Sequence, residues 1–145
     1  MEIPENVWTS LQERLGYSDE ELSKFKENAN NQRVLKCAPE LMAKTIVAEV
    51  VYSHGCNSQH KVGDKFYMDG SGNLLSKLCP SRMCVYAVSA LRPLVYAAHE
   101  LFYNGVDPNK MVFNHCGCVD VGLECSGWGR VVMEVRMEDR ATEKT

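Results

Sequence analysis

The sequence predicts an α+β fold, in which two N-terminal helices precede a compact, mostly antiparallel sheet with a helix pair packed on it. Helical periodicity is confined to the start of the chain and to residues 80–104, and strand patterns fill most of the rest. The connections between strands are too short for repeated parallel crossovers. We expect a helical extension over residues 1–44, a cysteine-containing core over 45–137 and a polar tail over 138–145.

The first two helices are predicted from their ends. Pro4 suits a first helical turn, and Gly16 suits the left-handed residue that follows a last turn. Ser18 and Glu21 form the S-x-x-E pattern of a capping box at the start of the second helix. The helical pattern fades at NANNQ, residues 28–32, because asparagine side chains compete for backbone hydrogen bonds. We predict a linker there.

The sheet and the helix pair follow. TIVAEVVY, residues 45–52, is rich in β-branched residues and predicts a buried strand, and KFYMDGSGNLLS predicts a hairpin around an Asp-Gly turn. Pro93 divides the apolar helical pattern of residues 80–104 into two helices or one kinked helix. The later strands are predicted at KMVFNH and RVVMEVRM.

Composition excludes several function classes. The 145 residues carry a net charge of -3 without a Lys/Arg run, which argues against nucleic acid, and no apolar stretch is long enough to cross a membrane. The N-terminus is acidic and lacks the features of a secretory signal, so we expect a cytoplasmic protein. In that reducing compartment, seven cysteines indicate free thiols, metal ligands or catalytic groups rather than disulfides.

Three segments combine cysteine with histidine or with turn residues: HGCNSQH, LCPSRMC and HCGC. Thiolates and imidazoles are the ligands of zinc and of iron-sulfur clusters. The spacings match neither the zinc pattern C-x2-C nor the ferredoxin pattern, so a metal site requires the fold to bring distant thiols together. Cys37 and Cys84 lie in apolar surroundings, and we interpret them as small buried hydrophobes.

Cys79 is the predicted nucleophile. The proline that follows it suits a first helical position, so Cys79 would lie at a helix N-terminus, where the helix dipole lowers a thiol pKa. His60 and His115 are the candidate general bases. Asp64 and Asp120 are candidate acid-base groups, although carboxylates at turns more often cap backbone amides, which is the interpretation we favour.

The succession C-x3-HKVGDKF, CPS and CVD resembles a family of small uncharacterised proteins from anaerobic bacteria and archaea. The family pattern has C-x-x-GHKVGD-x-F, a later CP before a helix and a late CPD, and the resemblance covers about residues 45–137. It touches Cys56, His60, Gly63, Asp64, Cys79, Pro80, Cys118 and Asp120. Gln59 replaces a glycine and Val119 a proline, which leaves open whether Cys116 or Cys118 fills the family position. The resemblance implies an anaerobic setting and a three-thiol site, but no reaction.

The leading hypothesis is a small metal-binding protein, or an accessory subunit of a larger anaerobic catabolic or redox enzyme. Its site would consist of three thiols and a fourth ligand that bind zinc or an iron-sulfur cluster. The proposed ligands are Cys56, Cys79 and Cys118, with His60 or Cys116 as the fourth.

Two alternatives remain open at this stage. One is a free-standing enzyme in which Cys79, helped by His60 and by Asp64 or Asp120, performs covalent or acid-base chemistry. The other is an interaction module with inert, reduced cysteines. The expected partner is a larger protein subunit or another copy of this chain, and neither nucleic acid nor a membrane is expected.

Overall fold

A computed structural model describes residues 1–140 and confirms the α+β fold. The helices are α1 (Glu5–Leu15), α2 (Asp19–Glu27), α3 (Ala29–Met42), α4 (Val85–Ala90) and α5 (Arg92–Tyr103). The strands are β1 (Lys44–His54), β2 (Lys65–Asp69), β3 (His115–Gly117) and β4 (Arg130–Asp139). Within residues 1–140, no helix has both the length and the apolar character needed to cross a membrane.

The chain divides into two compact units, the first of which ends at Glu40. This division falls a few residues before the predicted boundary at residue 44. The predicted polar tail starts inside β4, which continues to Asp139, and its residues 141–145 lie outside the described range.

The N-terminal unit is built around a small apolar cluster of Trp8, Leu11 and Leu22. The predicted capping box is present: the Ser18 amide donates to the Glu21 carboxylate at 2.8 Å, and the Glu21 amide donates to the Ser18 hydroxyl at 3.2 Å. These bonds satisfy backbone amides that have no partner within the helix. Local sequence is therefore sufficient to fix the start of α2.

The predicted linker at residues 28–32 is wrong, because α3 begins at Ala29. The Asn28 side chain accepts hydrogen bonds from the amides of Asn30, at 2.9 Å, and Asn31, at 3.4 Å. Asparagine at this position acts as a helix cap, which is one of its preferred places. The hydrogen bonds expected to break a helix here begin the next one.

The second unit contains a four-stranded sheet with the order β2-β1-β4-β3, in which every neighbouring pair is antiparallel. Alternate residues of β1 and β4 face one core with Phe66 of β2, and residues of α4 and α5 cover that core. The predicted helix pair on the sheet is therefore confirmed. The central members of the core are Ile46, Ala48, Val50, Phe66, Leu91, Ala98, Met133 and Val135.

Two strand predictions need correction. The second strand of the predicted hairpin is reduced to a single bridge between Met68 and Leu74. KMVFNH forms a strand only from His115 onward. The earlier residues of this segment are not in the sheet. The residue just before them, Asn109, makes two side-chain hydrogen bonds of 2.8 Å to the backbone of Met137. This anchor ties the segment to the end of β4 instead of extending it alongside the sheet.

Candidate functional site

One pocket in the second unit is lined by three cysteines and a buried histidine. Cys56 follows β1, Cys84 precedes α4 and Cys118 follows β3, and all three border the same cavity of about 230 Å³ together with His60. Thiols from three distant segments are thus gathered at one place. Two of the three predicted site cysteines, Cys56 and Cys118, belong to this group.

Two glycines allow the loop that carries Cys56 to approach the start of β4. Gly55 has a φ of +65°, a conformation that glycine adopts without strain. A β-carbon on Gly129 would overlap the carbonyl group of Gly55 and lie 2.5 Å from the carbonyl oxygen of His54. The two backbones are therefore in direct contact, and a side chain at Gly129 would separate them.

Cys84 is the site residue that the sequence interpretation missed. It occupies the cap position of α4 and lines the pocket, instead of serving only as a buried hydrophobe. Burial raises its pKa, but hydrogen bonds from the Ala87 backbone, the Ser58 side chain and the Tyr86 backbone outweigh burial, so the pKa lies below the usual value for cysteine. The usable signal was its position just before the apolar helical run that starts at Val85.

Cys79 does not lie at a helix N-terminus, so that prediction is wrong. The helix begins at Val85, and Cys79 lies in the irregular segment before it. Its sulfur accepts a hydrogen bond from the Tyr67 amide at 3.2 Å and lies 3.4 Å from the Tyr67 carbonyl oxygen. Cys79 is therefore tied to β2, and the residues that line the three-thiol pocket do not include it.

Cys116 and Cys118 have different environments although both pack against the core. Burial raises the pKa of Cys116 to about 11, so its thiol stays protonated at neutral pH. Cys118 lines the pocket, and its sulfur accepts a hydrogen bond from the Val131 amide at 3.4 Å. Of the two alternatives left open by the sequence, Cys118 is the one at the pocket.

His60 is held by contacts on several sides. Only 4% of the residue is exposed, its ring packs edge-on against Phe66, and its Nε2 accepts a hydrogen bond from the Cys84 amide at 3.3 Å. Its Nδ1 lies 4.0 Å from the carboxylate of Asp64. With Nε2 as the acceptor, a neutral ring carries its proton on Nδ1, on the side that faces Asp64.

Asp120 and Asp64 cap backbone amides, as the favoured interpretation predicts. The Asp120 carboxylate accepts hydrogen bonds from the amides of Gly122 at 2.9 Å, Trp128 at 3.0 Å and Gly129 at 3.0 Å. The bonds from Gly122 and Gly129 have the largest effects and lower its pKa. Burial acts in the opposite direction, the bond from Trp128 lowers the pKa further, and the net result is a pKa below the usual value for aspartate. Asp64 accepts a hydrogen bond at 3.1 Å from an amide three residues earlier.

The Asp120 cap gives the fold a specific acid sensitivity. Because the folded pKa lies below the ordinary value of about 3.9, the cap contributes stability above that value and loses it as the pH falls through the folded pKa. We expect Asp120→Asn to lower the urea midpoint most above about pH 5, and the difference from wild type to shrink below about pH 4. Urea unfolding curves across this range measure the effect. Glu124→Gln removes a charge from the same loop without touching the cap, and an equal pH dependence in that variant would contradict the assignment.

In this conformation the thiols are not arranged as a preformed metal site. All seven cysteines are free, and across residues 1–140 no three His, Cys, Asp or Glu side chains are grouped as a metal site. Binding of a metal at the pocket therefore requires its side chains to rotate toward a common centre. Staggered rotamers offer such rotations at the cost of the hydrogen bonds described above.

No protein-family model, curated protein or solved structure matches this chain. The resemblance to the family from anaerobes therefore stays a prediction that rests on the quoted motifs. The pocket itself contains three free thiols, one of them with a lowered pKa, and an imidazole fixed beside them.

Proposed function

We propose that this protein binds a thiophilic metal, zinc or an iron-sulfur cluster, through Cys56, Cys84 and Cys118, with His60 as the fourth donor. The observation that carries the proposal is the convergence of three thiols from distant segments on one pocket beside a buried imidazole. Three thiolates and one imidazole suit tetrahedral zinc, and three thiolates alone suit a cluster with one open iron. Cys84 replaces Cys79 in the ligand set that the sequence predicts.

Hydrogen bonds to sulfur support this proposal. A metal binds the deprotonated thiol, so groups that stabilise the thiolate favour binding. Cys118 accepts a hydrogen bond from the Val131 amide, and the backbone amides of Ala87 and Tyr86 help to lower the pKa of Cys84. Amide donors to a charged sulfur are stronger than those to a neutral one. The lowered pKa of Cys84 therefore favours the form of this thiol that a metal binds.

The imidazole of His60 is chemically suited to be the fourth metal ligand. Ligation through Nε2 would replace the present hydrogen bond from the Cys84 amide. The other ring nitrogen faces Asp64 at 4.0 Å, and metal-bound histidines usually direct that nitrogen to a carboxylate, carbonyl or water. A small approach of Asp64 would complete such a pair.

The wider role that we propose is that of a small metal-binding protein, or of an accessory subunit of a larger anaerobic enzyme. This part of the proposal rests on the resemblance of the motifs. A reducing cytoplasm is the compartment that suits it, because seven free thiols persist there without forming disulfides.

Metal analysis tests the proposal on protein purified without oxygen. We expect bound zinc or iron in the wild type and thiolate charge-transfer absorbance when the metal-free protein is titrated with Co²⁺. Cys84→Ser removes a ligand and should weaken binding by on the order of 100-fold or more. Cys79→Ser is the matched control, because Cys79 is also half-buried and hydrogen-bonded but lies outside the pocket.

Two results would contradict the proposal. One is a wild-type protein that contains no metal and shows no thiolate absorbance with Co²⁺. The other is a Cys79→Ser variant that loses as much affinity as Cys84→Ser, since the ligand set would then not be the pocket set. Normal folding and assembly after serine replacement of every pocket cysteine, without loss of a bound metal, would instead favour an inert interaction module.

A second candidate function is thiol chemistry by Cys84 itself, and the lowered pKa of this residue favours it. In the metal-free protein at neutral pH, we expect iodoacetamide to label Cys84 at least about ten times faster than Cys116, whose pKa is raised to about 11. Mass spectrometry of the digested protein measures both rates. Protection of Cys84 by added Zn²⁺ supports the metal site. Equal rates for the two cysteines would remove the case for an activated thiol.

A further inference from the structure

The loop between β3 and β4 exposes an unusual concentration of apolar side chains. Val119, Val121, Leu123 and Trp128, which we name the apolar loop surface, are exposed by 69%, 57%, 74% and 73%. Single exposed apolar residues are common on monomeric proteins, but a cluster of this kind marks an interaction site. The loop belongs to the second unit and borders the three-thiol pocket through Val119.

The apolar loop surface is held in place by backbone hydrogen bonds. Asp120 accepts bonds from the amides of Gly122, Trp128 and Gly129, so the two ends of the loop lie close together. The backbone at Trp128 is thereby fixed beside Asp120, whose chain neighbours are Val119 and Val121. Because the loop is already ordered, binding of a partner costs little conformational entropy of this loop, which favours association.

An unpaired sheet edge lies next to this surface. Within residues 1–140, β3 is the outermost strand of the sheet and pairs only with β4. Asn114 and Cys118 make backbone hydrogen bonds to β4, so the alternation of an antiparallel ladder directs the backbone groups of His115 and Gly117 to the open edge. An open edge of this kind can pair with a strand of another chain.

The amount of exposed area fits a stable dimer. Val112 and Phe113, just before β3, are exposed by 83% and 85%. Together with the four residues of the apolar loop surface they give six large apolar residues that are each more than half exposed, the kind of surface that an interface of standard size buries. The charges also suit self-association, because exposed Glu124 and exposed Arg130 give the region both signs.

We infer that the apolar loop surface and the open edge of β3 form the interface of a homodimer. A two-fold axis would pair β3 with β3 of a second copy in antiparallel orientation, and would cover the apolar loop surfaces of both chains. A second copy is the occupant that the features favour, since an antiparallel edge and a surface with both charges are complementary to themselves. This inference does not depend on metal binding.

Sedimentation velocity of the full chain tests the inference. Between about 1 and 100 µM we expect the wild type to approach twice the mass of one chain. Leu123→Ser combined with Trp128→Ser should weaken self-association by at least about 30-fold, as for the loss of an aromatic hot spot. Tyr96→Ser is the matched control, because Tyr96 is an aromatic residue of α5 that is exposed by 67%, outside this surface.

Circular dichroism shows whether each variant keeps the fold of the wild type. If the double serine variant fails to fold, Val121→Glu serves instead, because it adds a charge to the apolar loop surface at an exposed position. A wild type that stays monomeric over the whole range overturns the inference. So does a dimer that survives both the double serine variant and Val121→Glu, or one that Tyr96→Ser weakens equally.

Discussion

Gly129→Ala should destabilise the second unit by at least about 3 kcal/mol and disrupt the three-thiol pocket. The new β-carbon would overlap the carbonyl group of Gly55 and lie 2.5 Å from the carbonyl oxygen of His54. Both obstacles are backbone atoms, which cannot rotate aside as a side chain does. Relief requires the loop after β1 to move away from β4, and Cys56 moves with that loop.

Urea unfolding and labelling of Cys56 measure the two effects of Gly129→Ala separately. Gly117→Ala is the matched control, because a β-carbon there meets nothing nearer than the Val131 carbonyl oxygen at 3.7 Å. We expect the control to cost less than about 1 kcal/mol. Equal costs for the two variants would mean that the contact between Gly55 and Gly129 does not hold the site together.

Phe66→Ala should cost about 3 to 5 kcal/mol, the range for removing a buried aromatic ring. Phe66 is fully buried at the centre of the core, and its ring packs against His60 with centroids 5.2 Å apart. The loss is a large fraction of the roughly 5 to 15 kcal/mol that stabilise an ordinary domain. The cavity would also free the His60 ring, so metal affinity should fall along with stability.

Thermal and urea unfolding measure the stability of Phe66→Ala, and Co²⁺ titration measures its metal affinity. Phe66→Leu keeps most of the apolar volume and should recover more than half of the stability. Tyr67→Ala is the control on the opposite face of β2, where the side chain is only partly buried. If Tyr67→Ala proved as costly as Phe66→Ala, the core would not be centred where we describe it.

Elements with a strong local signal were predictable from the sequence. The capping box of Ser18 and Glu21 starts α2, and the β-branched run at residues 45–52 lies within β1. Both signals act between near neighbours in the chain. The prediction failed at Asn28, where the same side-chain hydrogen bonds begin a helix as readily as they end one. A residue type alone does not distinguish these two uses.

The candidate site was only partly predictable, because its assembly depends on contacts between distant segments. The sequence indicated Cys56, His60 and Cys118, and the pocket contains all three. It also favoured Cys79 over Cys84, because a proline follows Cys79. The helix starts later than that proline, and Tyr67 binds the Cys79 sulfur to β2. Neither fact can be read from the spacing of the cysteines.

The pairing of β1 with β4 has a consequence for biosynthesis. The register joins Lys44 to Asp139 and His54 to Arg130, so strands from opposite ends of the second unit lie side by side. Contacts of such long sequence separation are slow to form. The backbone contact between Gly55 and Gly129 is made only after β4 has left the ribosome. A nascent chain that stops before residue 130 would carry Cys56, Cys84 and Cys118 but would not hold them together, so the metal binding that we propose would follow translation.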